Sequence, residues 1–444
     1  MTAATRDGQL KAMKHRRLTQ LLAAGQLVLV AATWKLWTPQ TSFPQVPLIR
    51  MACHWPAWVD WFALVVMLAS IAALLAAGSR NSVQRIAAAG LATSLALFFV
   101  LDQHRLQPWA WQFFLLALLV SLGNTGTVSR GWTWLVISIY FWSAFSKLDF
   151  TFCHVQGPML LGGLKRAVGM DGIPNRWTAY AEIAGSLGIA AGELGVTILL
   201  MWPKTRWLGL WSATIMHLTL LATLGPFGLN HSAGVLLWNV FFIVQNWLLF
   251  SEQRLGPPES GPTAVADSRG SNVNVTSWRE WLALGVIIAA IVWPSLESNG
   301  RCDHWLAWSV YSARAGHTVV ELANDMNLDR IPTSIRERHL HAFVDLPGES
   351  NDWYYVMHRR LDTGQWSLQA LAVPVLPELR FEVGIALRLR EQWGFRGSVI
   401  HTPPPSRWNG LSAAPEVFVI NDEESLDRLD QRFFWNIRPR TLGD

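Results

Sequence analysis

Nine apolar runs, joined mostly by short polar connections, occupy residues 18–296 and decide what this chain can fold into. Backbone N–H and C=O groups placed in hydrocarbon must pair within the chain itself, so runs of this kind become spanning helices. The runs are approximately Leu18–Trp37, Trp58–Ala77, Ile86–Leu101, Trp109–Leu122, Trp132–Phe145, Tyr180–Trp202, Trp207–Leu224, Ser232–Phe250 and Trp281–Pro294. Three or four fall short of the roughly 20 residues a span needs, so their helices are expected to extend into flanking polar residues or to thin the bilayer locally. Composition agrees: of 444 residues, 51% are hydrophobic and 15% charged, too few charges to coat a globule of this size. Many of the 26 Trp sit at the ends of runs, where an indole favours the headgroup boundary. A lipid bilayer is therefore the expected partner. The net charge of +5 leaves no footprint for nucleic acid.

Orientation follows from the basic residues. Lys11, Lys14, Arg16 and Arg17 precede the first run, and Arg80, Arg85, Arg130, Lys204, Arg206, Arg254, Arg269 and Arg279 fall in alternate connections. The positive-inside rule then places the N-terminus inside and the chain as a multi-pass protein of the cell membrane, the cytoplasmic membrane in a prokaryote. Residues 11–34 also read as a signal peptide, and an uncleaved first span is the alternative that Trp34 and Trp37 support as anchors. The loop Ser146–Trp177 breaks the rule, because it holds Lys147, Lys165, Arg166 and Arg176 on the outer side.

The expected fold is an all-α polytopic membrane bundle of about nine transmembrane helices followed by a small α+β soluble domain. Its parts are an inner N-terminal segment (1–17), the transmembrane bundle (18–250), a flexible Pro/Gly/Ser-rich linker (251–278), the last span (279–296) and an extracytoplasmic α+β domain (297–444). In the tail, strands are expected at His317–Leu322, Ser398–His401 and Glu416–Ile420, and helices at Ser334–His341, Leu379–Glu391 and Glu423–Phe434.

An ionisable side chain at membrane depth needs a partner or a wet cavity, which makes a few positions informative. Glu182 and Glu193, 11 residues apart, fall on one face of their helix but about 16 Å apart along its axis, too far for a carboxylate dyad. Glu193 and His217 lie equally far from the turn near Thr205, so they are expected to face each other at one depth. Such a pair relays protons, orients a polar cofactor headgroup, or only locks two helices together. Lys147 ends the fifth run and is either a desolvated base or a snorkelling lysine paired with Asp149 or Asp102. Asp102 and Arg105, at spacing i, i+3, are expected to pair, and with Lys147 and Asp149 to form either a polar vestibule or a plain helix-end charge cluster.

All three cysteines have a nearby histidine: Cys53-His54, Cys153-His154 and Cys302-Asp303-His304. On the outer side a Cys53–Cys302 disulfide is open, as is a thiolate–imidazole metal site drawn from these six residues. The third alternative is a buried free cysteine beside an aromatic anchor.

The segment Tyr140-Phe141-Trp142-Ser143-Ala144-Phe145-Ser146-Lys147-Leu148-Asp149 resembles the span-end motif of the vitamin K-dependent γ-carboxylase family and its bacterial HTTM relatives. Gly192-Glu193-Leu194, the basic turn Lys204-Thr205-Arg206, and His217 followed by Gly225, Phe227 and Gly228 continue the resemblance in the same order. The resemblance implies a quinone cofactor of the vitamin K kind, with Lys147 as the base that deprotonates the quinol and His217 near the quinone. Glu193, His217, Asp149, Asp102 and Arg105 would help to hold it. The implied activity is a quinol-dependent carboxylase or oxidoreductase. Ser146 stands where the family often has a second basic residue, and the tail is smaller than the family's lumenal domain. A second resemblance is to DoxX/MauE-like redox-associated bundles, through an aromatic helix ending in Lys-Leu and a Glu in a later span. Outside enzymes, the alternative is a membrane scaffold that anchors the tail domain.

Overall fold

The computed structural model describes residues 3–78, 80–170, 179–251, 277–312, 316–345, 356–407, 409–411, 413–420 and 429–441. Each of the nine apolar runs lies on a helix. These are α1 (Ala3–Ala32, continued by a short α2, Trp34–Trp37), α3 (Trp58–Ala76), α4 (Asn81–Leu101), α5 (Pro108–Leu122), α6 (Thr125–Lys147), α8 (Ala179–Met201), α9 (Arg206–Leu224), α10 (Ala233–Phe250) and α11 (Trp278–Val292). An additional α7 (Gly157–Ala167) follows α6. Among the described residues, six helices are long and apolar enough to cross a membrane: α3, α4, α8, α9, α10, and α11 with the 3-10 turns after it. With Trp58, Phe62, Val65, Ile86, Leu208, Ile215 and Trp281 on open surface, these helices need lipid against them. The chain is a multi-pass integral membrane protein.

The remaining three helices differ from those six for separate reasons. The first half of α1 carries the basic cluster, α5 has 15 residues, and α6 is diluted by Thr, Ser and Arg130. Two of the short runs lengthen at their starts as expected, α4 beginning at Asn81 and α6 running for 23 residues from Thr125, whose N-cap Asn124 accepts from Thr127 N–H, whereas α5 gains only Pro108. In the bundle, α1 packs on α3, α5, α6 and α10, α8 lies between α6 and α9, and α11 closes against α5 and α6.

Of the expected loop between Ser146 and Trp177, the described residues, up to Met170, are largely helical. A π-helical turn (Phe152–Gln156) leads into α7, which packs on α8 and α9. The breach of charge asymmetry loses weight accordingly. Lys147 is buried in an ion pair, Arg166 donates to the Gly228 carbonyl, and Arg176 lies outside the described residues. The linker, apart from its edges, also lies outside them.

The tail forms a five-stranded antiparallel sheet of order β2-β3-β1-β4-β5, with β1 at His317–Leu322, β2 at Leu340–Asp345, β3 at Val356–Leu361, β4 at Gly397–Thr402 and β5 at Glu416–Val419. Helices α12 (Thr333–His339), α13 (Thr363–Leu371) and α14 (Leu379–Trp393) accompany it, and α14 packs on β1 and β4. Three strands and two helices were legible beforehand. Leu340 and His341, expected in a helix, begin β2, and β2, β3 and α13 were missed. Of the helix expected at Glu423–Phe434, residues 423–428 lie outside the described residues, 429–432 are helical and 433–434 are not.

The tail is stapled to one end of the bundle through residues 38–56 and 102–107. Asn436 and Arg440 backbone N–H groups donate to the Leu48 and Gln45 carbonyls, and Gln103 Nε2 reaches the Asn436 carbonyl at 2.7 Å. Phe43 packs in the seam against His104, Trp366 and Phe381. A Cβ on Gly384 would stand 2.6 Å from Val46, so glycine is required for α14 to approach this closely.

Candidate functional site

Position 147 closes α6, and the residues one and two turns earlier share its face. Lys147 Nζ donates to Ser143 Oγ (2.6 Å) and to the Ser143 carbonyl (3.1 Å), then reaches across to Glu193 Oε2 on α8 at 2.8 Å. Both partners of this ion pair are almost fully buried. The snorkelling alternative is thus corrected: the lysine turns inward to Glu193, and neither Asp149 nor Asp102 is its partner.

Two turns before Lys147, Tyr140 starts a second network. Its hydroxyl lies 2.6 Å from His217 Nε2 on α9 and accepts from Asn246 Nδ2 on α10 at 2.6 Å, while His217 Nδ1 lies 2.8 Å from Asn239 Oδ1. Asn239 donates onward to the Val235 carbonyl. One proton arrangement satisfies all four bonds: Asn246 N–H to Tyr140 oxygen, Tyr140 O–H to His217 Nε2, His217 Nδ1–H to Asn239 Oδ1, and Asn239 N–H to the carbonyl. His217 is therefore assigned as the neutral Nδ1–H tautomer. Glu193 and His217, expected to face each other, make no hydrogen bond to one another, because each is taken by a different partner.

The two networks nevertheless meet. Lys147, Ser143, Glu193, Tyr140, His217 and Asn239 line one cavity of about 70 Å3, roofed by Trp308, Val310 and Tyr311 of the tail. Glu193, Leu160, Ile189, Met216 and Leu220 also line a second space, a groove of about 500 Å3 between α7, α8 and α9. Gly188, Gly192 and Gly195 lie at i, i+4 and i+7 along its wall, and a Cβ on any of them would meet nothing within 4 Å. These glycines keep a channel open; they do not bring two helices into contact. Glu193 is the one charged residue shared by groove and cavity. A third cavity, of about 240 Å3, lies on the tail side and shares Val235, Trp238, Val310 and Tyr311 with the first; His231 and His304 line it.

Asp102, Arg105 and Asp149, expected near the same ligand, belong to other structures. Arg105 Nη2 pairs with Asp60 Oδ1 at 2.6 Å, and Arg440 Nη1 takes the other oxygen of Asp60 at 2.7 Å; all three side chains are fully buried. Asp102 is not the salt-bridge partner of Arg105. Its Oδ1 accepts from the Val46 and His104 backbone N–H groups, and burial raises its carboxyl to about 6. Asp149 Oδ1 accepts from the N–H groups of Thr151 and Phe152 and so starts the helical turn that leads to α7. His104, in the tail seam, lies 3.0 Å from the Pro374 carbonyl, and burial lowers its pKa to about 4. Asp60 and Arg440 were not singled out in sequence; the only signal was an acidic residue inside an apolar run.

Cys53, Cys153 and Cys302 are buried and free, so the Cys53–Cys302 disulfide is not made. Cys53 Sγ contacts Asn436 and the Arg438 carbonyl, and burial pushes the Cys302 thiol up to about 12 and raises those of Cys53 and Cys153. His54 and His154 are exposed, the latter stacked on Phe150, and His304 Nδ1 lies 3.0 Å from Glu378 Oε1. Among the described residues, no three His, Cys, Asp or Glu side chains converge as a metal site would require.

Comparison with family models, with curated proteins and with solved structures returned no match.

Proposed function

We propose that this membrane protein binds a lipid-soluble quinone, with the chain lying in the groove of α7, α8 and α9 and the polar edge of the ring reaching the Lys147–Glu193 pair. The observation that carries the reading is the meeting of groove and buried cavity at Glu193. An apolar trough with a few converging polar groups at its inner end is what a long-tailed, polar-headed ligand requires. Lys147 and Glu193 share one net proton between them in a water-poor site, so the pair can give a proton to a ligand oxygen or recover it without moving net charge through the bilayer. The Tyr140–His217–Asn239 network fixes the far wall.

The reading rests also on the resemblance of the Lys-Leu-Asp segment to the γ-carboxylase and HTTM proteins. In it, the Lys147 ammonium passes a proton to Glu193 and the freed amine is the base that takes the quinol proton, nine helices span the bilayer with the N-terminus inside, and the site opens toward the outer face with the tail above it. The activity it supports is quinol-dependent carboxylation or oxidoreduction. Purification in mild detergent followed by mass spectrometry of the lipid extract tests it: quinone accompanies the wild type and is depleted in Lys147→Ala. Extracts free of quinone in both preparations would remove the cofactor.

A scaffold reading is favoured by one observation, the Asp60–Arg105–Arg440 triad that joins the end of the tail to the bundle. If anchoring is the whole function, Lys147→Ala lowers the yield of folded protein and changes nothing else.

A further inference from the structure

Every polar side chain of the bundle that lines the inner cavity already has a partner. Lys147 has Ser143 and Glu193; His217 has Tyr140 and Asn239; Trp238 Nε1 donates to Gln112 Oε1. The two exceptions lie on the roof. Trp308 Nε1 and the Tyr311 hydroxyl are buried and have no hydrogen-bond partner among the described residues, and both side chains line the cavity. Trp308 is fully buried, and a buried donor left unpaired costs the chain its full desolvation.

The backbone that carries these two side chains is itself strained. Trp308 and Tyr311 both have φ +61°, in the left-handed region that bulky L residues rarely adopt, and they are two of four such non-glycine residues among those described. The turn is held by short-range bonds from Ala307 N–H to the Asp303 carbonyl, Ser309 N–H to the His304 carbonyl and Val310 N–H to the Trp308 carbonyl. Residues 303–311 thus form a knitted turn whose unusual geometry brings the side chains of Trp308 and Tyr311, three residues apart and each carrying an unpaired donor, to the wall of the same cavity. An apolar lid would need neither the strain nor the donors.

We infer that Trp308 and Tyr311 form a two-donor clamp for a hydrogen-bond-accepting carbonyl oxygen of the ligand in the membrane cavity, so that the tail supplies part of the binding site. This deepens the quinone reading and rests on it: the clamp holds a ring carbonyl on the side opposite the Lys147–Glu193 pair. An indole N–H gives only a donor, so the clamp favours the oxidised ring, whose oxygens only accept, over a quinol hydroxyl that must also place a proton. Tyr311 can offer its oxygen as an acceptor; Trp308 cannot. These are positioning residues, because they hold the ligand without exchanging protons with it.

The test uses the full-length protein in detergent with two probes of similar shape, 2-methyl-1,4-naphthoquinone and 2-methylnaphthalene, which lacks the oxygens. Binding is measured for the wild type, Tyr311→Phe and Trp308→Phe, alongside the infrared carbonyl stretch of the bound quinone. The clamp predicts that each variant weakens quinone binding about tenfold, leaves 2-methylnaphthalene binding unchanged, and returns one carbonyl band toward its free position. Equal weakening of both probes would mean that the turn only shapes the cavity, which overturns the clamp, as does an unchanged quinone affinity and spectrum in both variants. Failure of the wild type to bind the quinone at all would sink the quinone reading and the clamp with it. A quinone that binds the wild type and both variants alike sinks the clamp alone. Thermal unfolding of each variant separates misfolding from loss of the clamp: Tyr311→Phe, which removes an unpaired buried hydroxyl, should unfold at or above the wild-type temperature, and Trp308→Phe, which exchanges an unpaired N–H for a small void, should still unfold cooperatively.

Discussion

Lys147 and Glu193 sit deep enough that neither tolerates the loss of the other. Replacing Lys147 by Met leaves a buried carboxylate unpaired, at a cost of about 3–5 kcal/mol. The double variant Lys147→Met with Glu193→Gln should regain most of that loss, and thermal unfolding of the three proteins in one detergent measures the coupling. A double variant no better than the worse single one would mean that the two groups do not act as a pair. At Glu382, in the tail, burial raises the carboxyl to about 8 while Thr363 donates to it at 3.0 Å. A raised folded pKa means that the native state holds a proton the unfolded chain has released, so this group's contribution is fully present below about 4.5 and is lost as pH rises toward 8. The Tm difference between Glu382→Gln and wild type should therefore grow across that window and then level off.

Single residues were legible in sequence where chemistry is costly and hidden where geometry decides. Lys147, Glu193 and His217 stand out because charge or imidazole in an apolar run is rare. Their pairing was not readable, because the face that α6 presents to α8 depends on how the whole bundle packs. Trp308 and Tyr311 gave no signal: nothing in a run of tail aromatics announces φ +61°.

At the scale of elements, each of the nine hydrophobic runs located a helix, and the starts of α4 and α6 moved outward into polar residues. Helix α7 was missed because its short, glycine-containing segment has neither the length nor the uniform apolarity of a span. Strands β2 and β3 were missed because β2 follows α12 without a turn, and β3 carries His358, Arg359 and Arg360, which blur an alternating pattern. On α8, Gly188, Gly192 and Gly195 have the small-residue spacing that elsewhere packs helices together, but here their face is open. Gly192→Leu should therefore fold normally, with a Tm equal to or above the wild type since glycine weakens a helix interior, while its co-purifying lipid falls several-fold. A folded Gly192→Leu protein with unchanged bound lipid would show that the groove is empty in use.

Across the whole molecule, the sequence divides into a membrane part and a tail, yet the two share a core. The Asp60–Arg105–Arg440 triad, the Phe43 seam and the roof of the cavity each draw residues from both. Arg440→Met should leave Asp60 with Arg105 alone and speed amide exchange first in residues 429–441, at Asn436 and residue 440, whose N–H groups donate to the Leu48 and Gln45 carbonyls, with α9 and α10 unaffected. Uniform acceleration over the whole chain would mean that the triad supports the bundle itself.

Photo-crosslinking reads directly whether a quinone occupies the groove of α8 and α9 and ends at Glu193. A diazirine-bearing isoprenoid quinone is irradiated with the protein in lipid nanodiscs and its adducts are mapped by peptide sequencing. The account predicts adducts between Gly188 and Leu199 and between Ser212 and Thr223, competed by unlabelled quinone and lost in Gly192→Leu. Adducts spread over the lipid-facing surface of α3, indifferent to competitor and to the substitution, would contradict it.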